Sequence, residues 1–475
     1  VIRYCNCGIV DIGYIYELKI GGSMLTRLLD TKLMPGDPDA KFLLIAFWNH
    51  YGAVTPKPRS RKQLAEDLRL PVQAVSKAVA QLVDVGVLRV VTQPEGKGRP
   101  RCTYEMSKAI QSALRNVEER TLNHPGLVKH VLGGERIRAI WPGWKDDAPA
   151  AKELNTRSRD EKRVAPVRAG KLSLANRLLL VTLLSHADPF GVVRGLSSKK
   201  LCLLTGMNDA ALKQRLRRLT ELGFIRRHIP GIASPVFAEK LKSVYWLNLN
   251  HLQLSPADDV VSVLLHQKVA EPDIDYKFMA GVRFDRNSSL KGGEYLTPRS
   301  VVRLLRRVPD HAFDQLELFI CDCVSGFLAR HWVGDSAAWR KVRGVDLKVK
   351  KQVAKFFRRP KLGPRDNACL GRLEVISFIQ HQVFELAEEV VQRFSQLSVV
   401  DFSRASYTLV PAHVSIGHRC IALLTEKASG QALAKHWMVT KGLDEPIVVS
   451  VARETDIPLE LREQSGLLTP TRAAG

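Results

Sequence analysis

Cysteine is scarce in this chain, with eight residues in 475, scattered singly apart from Cys5/Cys7 and Cys321/Cys323. That spacing excludes the disulfide framework of a small secreted domain and fits a reducing compartment. No run of about 18 apolar residues offers a membrane span. The opening residues lack the pattern of a secretory signal, so a cytoplasmic location is expected. The chain also lacks a Gly-x4-Gly-Lys-Ser/Thr phosphate loop, a His-Glu-x2-His metal pair and a Gly-x-Ser-x-Gly elbow. Cys321-Asp-Cys323 has no second pair to complete a tetrahedral zinc site, and its place in an apolar helical stretch predicts buried thiols. The expectation is therefore a protein with no catalytic residues, no metal and no cofactor. Acidic side chains are the remaining shortage: 48 stand against 72 basic ones, a net charge of +24.

The excess of positive charge is uneven. Residues 41–110 carry twelve basic and five acidic side chains, and residues 171–250 carry thirteen and four, whereas the long part beyond 250 is nearly balanced. Basic faces gain affinity for polyanions by displacing counterions condensed on phosphates, so double-stranded DNA is the expected partner, with no membrane involved. Solubility alone gives no reason to favour these two windows.

The same two windows hold an internal repeat. Residues 60–86 and 197–223 align without a gap at an offset of 137, with Ser60/Ser197, Lys62/Lys199, Leu64/Leu201, Leu82/Leu219 and Gly86/Gly223 identical. Each copy follows an apolar helix, over 40–51 or 175–186, closed by a Gly- or Pro-bearing loop. A second helix opens at a serine cap, and after a short turn a third begins at Val72 or Asp209. The third helices hide a stripe at Val75, Val79 and Leu82 in one copy, and at Leu212, Leu216 and Leu219 in the other.

Beyond Gly86 the period becomes strand-like: 87–92, a loop over 94–101, then 102–106, which reads as a hairpin. The second copy continues with 224–229, a loop holding Pro230, Gly231 and Pro235, and a return strand over 244–249. Three helices followed by a hairpin resemble the winged helix-turn-helix superfamily, and residues 96–107 resemble the wing of many bacterial regulators of that class. The resemblance covers about 180 residues. It implies sequence-specific binding to duplex DNA, with the third helix in the major groove and the wing at phosphate or the minor groove.

Removing the buried stripe from the third helices leaves an outward set. In the first copy it comprises Gln73, Ser76, Lys77 and Gln81; in the second, Lys213, Gln214, Arg217 and Arg218. The wings add Lys97, Arg99 and Arg101, in a segment that also resembles an AT-hook core, and Arg226 and Arg227. Residues 340–365 hold eleven basic side chains against the single acid Asp346, a cluster that extends a phosphate footprint or is simply a solvated helix.

The expected architecture is mainly α with small β-hairpins (α+β). An N-terminal extension covers 1–39, of which 1–23 is expected not to be translated, the authentic start lying near Met24. Winged helix-turn-helix modules follow at 40–106 and 171–250, separated by a helical segment at 107–142 and a linker at 143–170 that lets the modules adjust their spacing. A mostly helical region covers 251–475. Within it, residues 375–397 approximate a heptad seam, which opens a homodimer through the C-terminal helices. The leading functional expectation is prokaryotic transcriptional regulation from a nucleoid-associated location. The alternatives are a plasmid or mobile-element replication initiator that binds origin repeats, and a winged-helix scaffold that docks proteins.

Overall fold

The computed structural model of the chain describes residues 25–30, 37–93, 101–117, 120–133, 137, 172–256, 258–266, 298–305, 308–332, 346–358, 368–395, 397, 399–402, 405–411, 419–424, 435–440 and 446–469. Two compact units result. Unit 1 takes 1–140, 166–188 and 198–219, and unit 2 takes 141–165, 189–197 and 220–475. The division runs through the second module, placing its helices in unit 1 and its strands in unit 2.

Unit 1 begins with helices α1 (25–30), α2 (Pro38–Tyr51), α3 (Arg61–Asp67) and α4 (Val72–Asp84), and the hairpin β1 (Leu88–Gln93) and β2 (Arg101–Met106). Local chemistry sets these boundaries. Asp37 caps α2 by accepting the Asp39 N–H at 2.9 Å, with Pro38 at the first helical position. Ser60 and Gln63 cap α3 reciprocally, at 3.2 and 2.9 Å. Helix α4 buries Val75, Val79 and Leu82 completely, as its period predicts. The strands pair antiparallel from Leu88↔Met106 to Gln93↔Arg101. Bridges Val54↔Glu105 and Arg59↔Cys102 lay the α2–α3 loop along β2 as an irregular third strand.

The repeat extends to the backbone. After α3, Arg69 adopts a left-handed conformation with φ 54; the aligned position of the second copy is Gly206, with φ 73. The turn between the two helices demands that conformation, which glycine adopts without the clash a Cβ brings. Arg69→Gly is accordingly expected to raise the thermal unfolding midpoint, by up to about 1 kcal/mol of stability; an unchanged or lower midpoint would refute strain at this turn. Gly86 and Gly223, identical in the repeat, are left-handed as well, with φ 70 and 79.

Helices α5 (Lys108–Arg115) and α6 (Pro125–Gly133) follow, then the second copy's α7 (Leu174–Ser185), α8 (Ser198–Thr205) and α9 (Asp209–Glu221). Helices α5 and α6 both fall within the helical segment expected at 107–142. Helix α7 packs on α2 and α6, and α8 packs on α7. Two buried cations fasten this arrangement. Lys41 on α2 donates to the carbonyls of Leu29 and Leu204, in the last turns of α1 and α8. Arg177 on α7 donates to Val131 O and Leu132 O at 2.7 and 2.8 Å, and its guanidinium lies 4.7 Å over the Phe42 ring. Each satisfies carbonyls that a helix end leaves without partners. Helices of both copies therefore share one packed unit, which replaces the expectation that the modules adjust their spacing. The expected linker at 143–170 lies outside the described residues.

Unit 2 contains a three-stranded sheet, β3 (Val192–Val193), β4 (Ile225–Ile229) and β5 (Val244–Leu247), in the order β3-β5-β4. Beyond residue 250 the expected helices are present: α10 (Arg299–Leu305), α11 (Asp310–His331), α12 (Leu347–Phe356), α13 (Ala368–Phe394) and α14 (Leu459–Gln464). They are joined by a second sheet that the sequence reading did not anticipate. It consists of β6 (Ser262–His266), β7 (Ser406–Val410), β8 (Arg419–Leu424), β9 (His436–Thr440) and β10 (Ile447–Val451), in the order β10-β9-β6-β8-β7. The region is mixed α/β rather than mostly helical.

The heptad-like seam is occupied. Ile376, Ile379, Val383, Val390, Phe394 and Leu397 all lie in the core of unit 2, alongside Phe313, Leu316 and Phe327 of α11. A stripe already buried within the subunit offers nothing to a second copy, so dimerisation through it is withdrawn. Cys321 and Cys323 are buried in the same core as expected, and burial pushes the Cys323 thiol up to about 12.

Candidate nucleic-acid interface

The outward side of α4 carries the residues its period selects, but two of them have local work. Gln73 is exposed and Ser76 half-buried. Lys77, 68% exposed, pairs with Asp37 at 3.3 Å. Gln81 is half-buried and bonds to the same carboxylate. Burial alone raises the Asp37 carboxyl, but bonds from Gln81, the Asp39 N–H and Lys77 outweigh it and hold the group below its ordinary value. Lys77 and Gln81 thus brace the cap of α2, and a base or phosphate must compete with Asp37 for them. Val72, 45% exposed at the first position of α4, was missed. An apolar residue reads as core, and only the exposed helix start reveals an apolar group of the kind that meets a thymine methyl.

Helix α9 is held by Leu212, Leu216 and Leu219, all buried, and its entry is capped by Asn208, whose side chain accepts the Ala211 N–H at 2.8 Å. Its other side presents Lys213, Gln214 and Arg217, all exposed, with Arg218 half-buried. Lys213 is 75% exposed and pairs with Asp209 at 2.7 Å, one turn earlier. The hydrogen bond to that carboxylate raises the Lys213 pKa and keeps the ammonium charged. Arg215 turns back to Ser173 at 3.3 Å. The four selected residues of α9 therefore lie off its packed stripe.

The wings divide differently. Lys97 and Arg99 lie outside the described residues, and of Arg101 only its place on β2, opposite Gln93, is described. The loop expected as the second wing, between β4 and β5, is not free. Its Phe237 is buried and forms a bridge with Phe357, with the Ala238 N–H donating to Phe356 O at 2.9 Å and the Arg358 N–H to Val236 O at 3.0 Å. At its base, Gly231 has no room for a side chain, since a Cβ there would stand 2.7 Å from Leu241 O.

Arg226 and Arg227 must be removed from the DNA-facing set, since each is only 5% exposed. Arg226 makes a two-pronged pair with Glu454 and donates to Leu467 O at 2.9 Å. Arg227 pairs with Asp314 at 3.2 Å and Glu317 at 3.5 Å, and donates to Pro411 O at 3.0 Å. Strict alternation would expose one of two adjacent strand residues. A register shift between Ile225 and Arg227 breaks the alternation, as a β-bulge does, and carboxylates of the C-terminal region receive both side chains.

Other chemistry is sparse among the described residues. No cluster of His, Cys, Asp and Glu there is arranged to hold a metal, and no helix is long and apolar enough to cross a membrane. A cleft in unit 1, lined by Asn49, His50, Asp67, Arg69 and Leu132, encloses about 170 Å³, below the roughly 300 Å³ at which small-molecule sites begin. Comparison of the chain with protein-family models, with curated proteins and with solved structures finds no match.

Proposed function

We propose that this chain binds double-stranded DNA sequence-specifically through tandem winged helices and acts as a prokaryotic transcriptional regulator in the cytoplasm, at the nucleoid. One observation carries the reading: in both copies the third helix buries its apolar stripe and leaves polar and basic side chains outward. Gln73 and Gln214 suit adenine edges, while Lys213 and Arg217 suit guanine edges or phosphate. The concentration of charge on the repeats supports the same partner.

Replication initiation is the second reading. Initiators with two winged helices hold both modules in one chain on repeated origin sequences, and the direct packing of α7 and α8 against helices of the first copy favours such fixed placement. Selecting bound fragments from genomic duplex DNA and footprinting the protein on them separates the two. A single promoter-overlapping motif supports regulation; iterated repeats support initiation. An Arg217→Ala/Arg218→Ala variant is expected to bind the selected duplex more weakly, with its log–log salt slope shallower by about 1 to 2, at roughly 0.9 per phosphate contact. Binding and slope equal to the parent's would count against DNA binding and for a protein-docking scaffold.

A further inference from the structure

We propose that the exposed side of α12 is a second phosphate-binding surface that continues the second wing and grips the duplex backbone without reading its sequence. This rests on the DNA-binding reading and adds a contact surface outside the repeats.

The helix is amphipathic in charge as well as hydropathy. Val349 and Val353 are fully buried, and Phe356 stacks on Phe319 at 3.9 Å. At about 100° per residue, Lys348, Lys351 and Lys355 fall on the opposite side as one stripe, and all three are exposed. Arg358, also exposed, follows the helix end. Among the described residues none of these four pairs with a carboxylate, in contrast to Lys62, Lys77 and Lys213, each of which has one. The nearby Asp346 is already engaged: it caps α12 through the Lys348 and Val349 N–H groups and binds Arg330 at 2.7 Å and His331 at 3.3 Å. Lys351 and Lys355, one turn apart, repel each other, a cost that an anionic partner reverses.

The position of the stripe gives its partner. The bridge between Phe237 and Phe357 joins the end of α12 to the wing loop, whose own Lys240 and Lys242 are exposed, beside the one acid Glu239. Lys348 and Lys355 are separated by about 10 Å of helix, a length over which one strand of a duplex presents about three phosphates. Lysine acts as a point charge towards phosphate, which suits backbone contact rather than base reading.

The test is Lys348→Gln/Lys351→Gln/Lys355→Gln in the full chain, titrated with a random-sequence duplex from about 50 to 200 mM salt. The expected slope is shallower by about 2 to 3, with affinity at least ~10-fold lower and preference among sequences unchanged. The triple Lys→Arg variant should bind as the parent does. If the Gln variant keeps the parent's slope while Lys213→Ala/Arg217→Ala loses affinity, the proposal falls and the DNA-binding reading stands. If the parent chain shows no salt-dependent duplex binding, both fall. A Gln variant that loses affinity for phosphatidylserine vesicles but not for duplex DNA would also overturn the proposal, assigning the surface to a membrane.

Discussion

Truncating Glu454 to alanine should destabilise unit 2 by about 3–5 kcal/mol, the cost of leaving a buried guanidinium without its counter-ion. Glu454 is 2% exposed and receives Arg226 at both oxygens, and Asn250 donates to it at 2.8 Å. Asn250 is itself bound to Val261 O and to the N–H groups of Val260 and Val261, at 2.6, 2.8 and 3.0 Å. One deletion thus exposes the whole network to loss. Replacing both charges, as in Arg226→Met/Glu454→Leu, should recover most of the stability, because the desolvation of two ions disappears together with their attraction. Urea unfolding measures the loss, and hydrogen exchange of the β4 and β5 amides locates it. A Glu454→Ala cost below about 1 kcal/mol, as for an exposed pair, would show that the network is not needed.

The second large effect is a pH dependence set by Lys41. Burial drives its pKa down from 10.5 to about 8, and the Asp30 carboxylate opposes that only in part. Because the folded value lies below the unfolded one, the unfolded chain binds more protons between about pH 8 and 10.5, and stability rises with pH through that window. The contribution is complete above the unfolded value and lost as pH falls through the folded one. Its size is roughly 3 kcal/mol. A Lys41→Met variant lacks this term, so the stability difference between parent and variant should shift in the parent's favour by that amount between pH 8 and 10.5. A constant difference across the window would mean that the two helix-end carbonyls stabilise the ammonium as well as water does.

Much of unit 1 was legible in the chain. The serine cap of α3 at Ser60, the helical period that selects the apolar stripes of α4 and α9, and Gly86 and Gly223 after them are features of one or two turns of chain. Bonds of that range depend on neighbouring residues alone, so reading along the chain recovers them. The outward residues of α4 and α9 followed from the same period. Their side duties did not: Asp37, which engages Lys77 and Gln81, belongs to another helix.

Misreadings fell where the partner is distant. Strand β6 pairs with β8 and β9, more than 150 residues away, and apolar runs of five or six residues do not announce such pairing. Arg226 and Arg227 read as surface cations because their carboxylates, Glu454 on one side and Asp314 and Glu317 on the other, lie 228, 87 and 90 positions further on. The α13 seam had the spacing of an intersubunit helix, and α11 filled it. Short-range hydrogen bonding and helical period were enough to place the duplicated helices and the Ser60 cap. Which charges are buried, which stripe is covered and what holds the loop between β4 and β5 depended on long-range packing, since burial energy is a property of the whole assembled core and not of any segment within it.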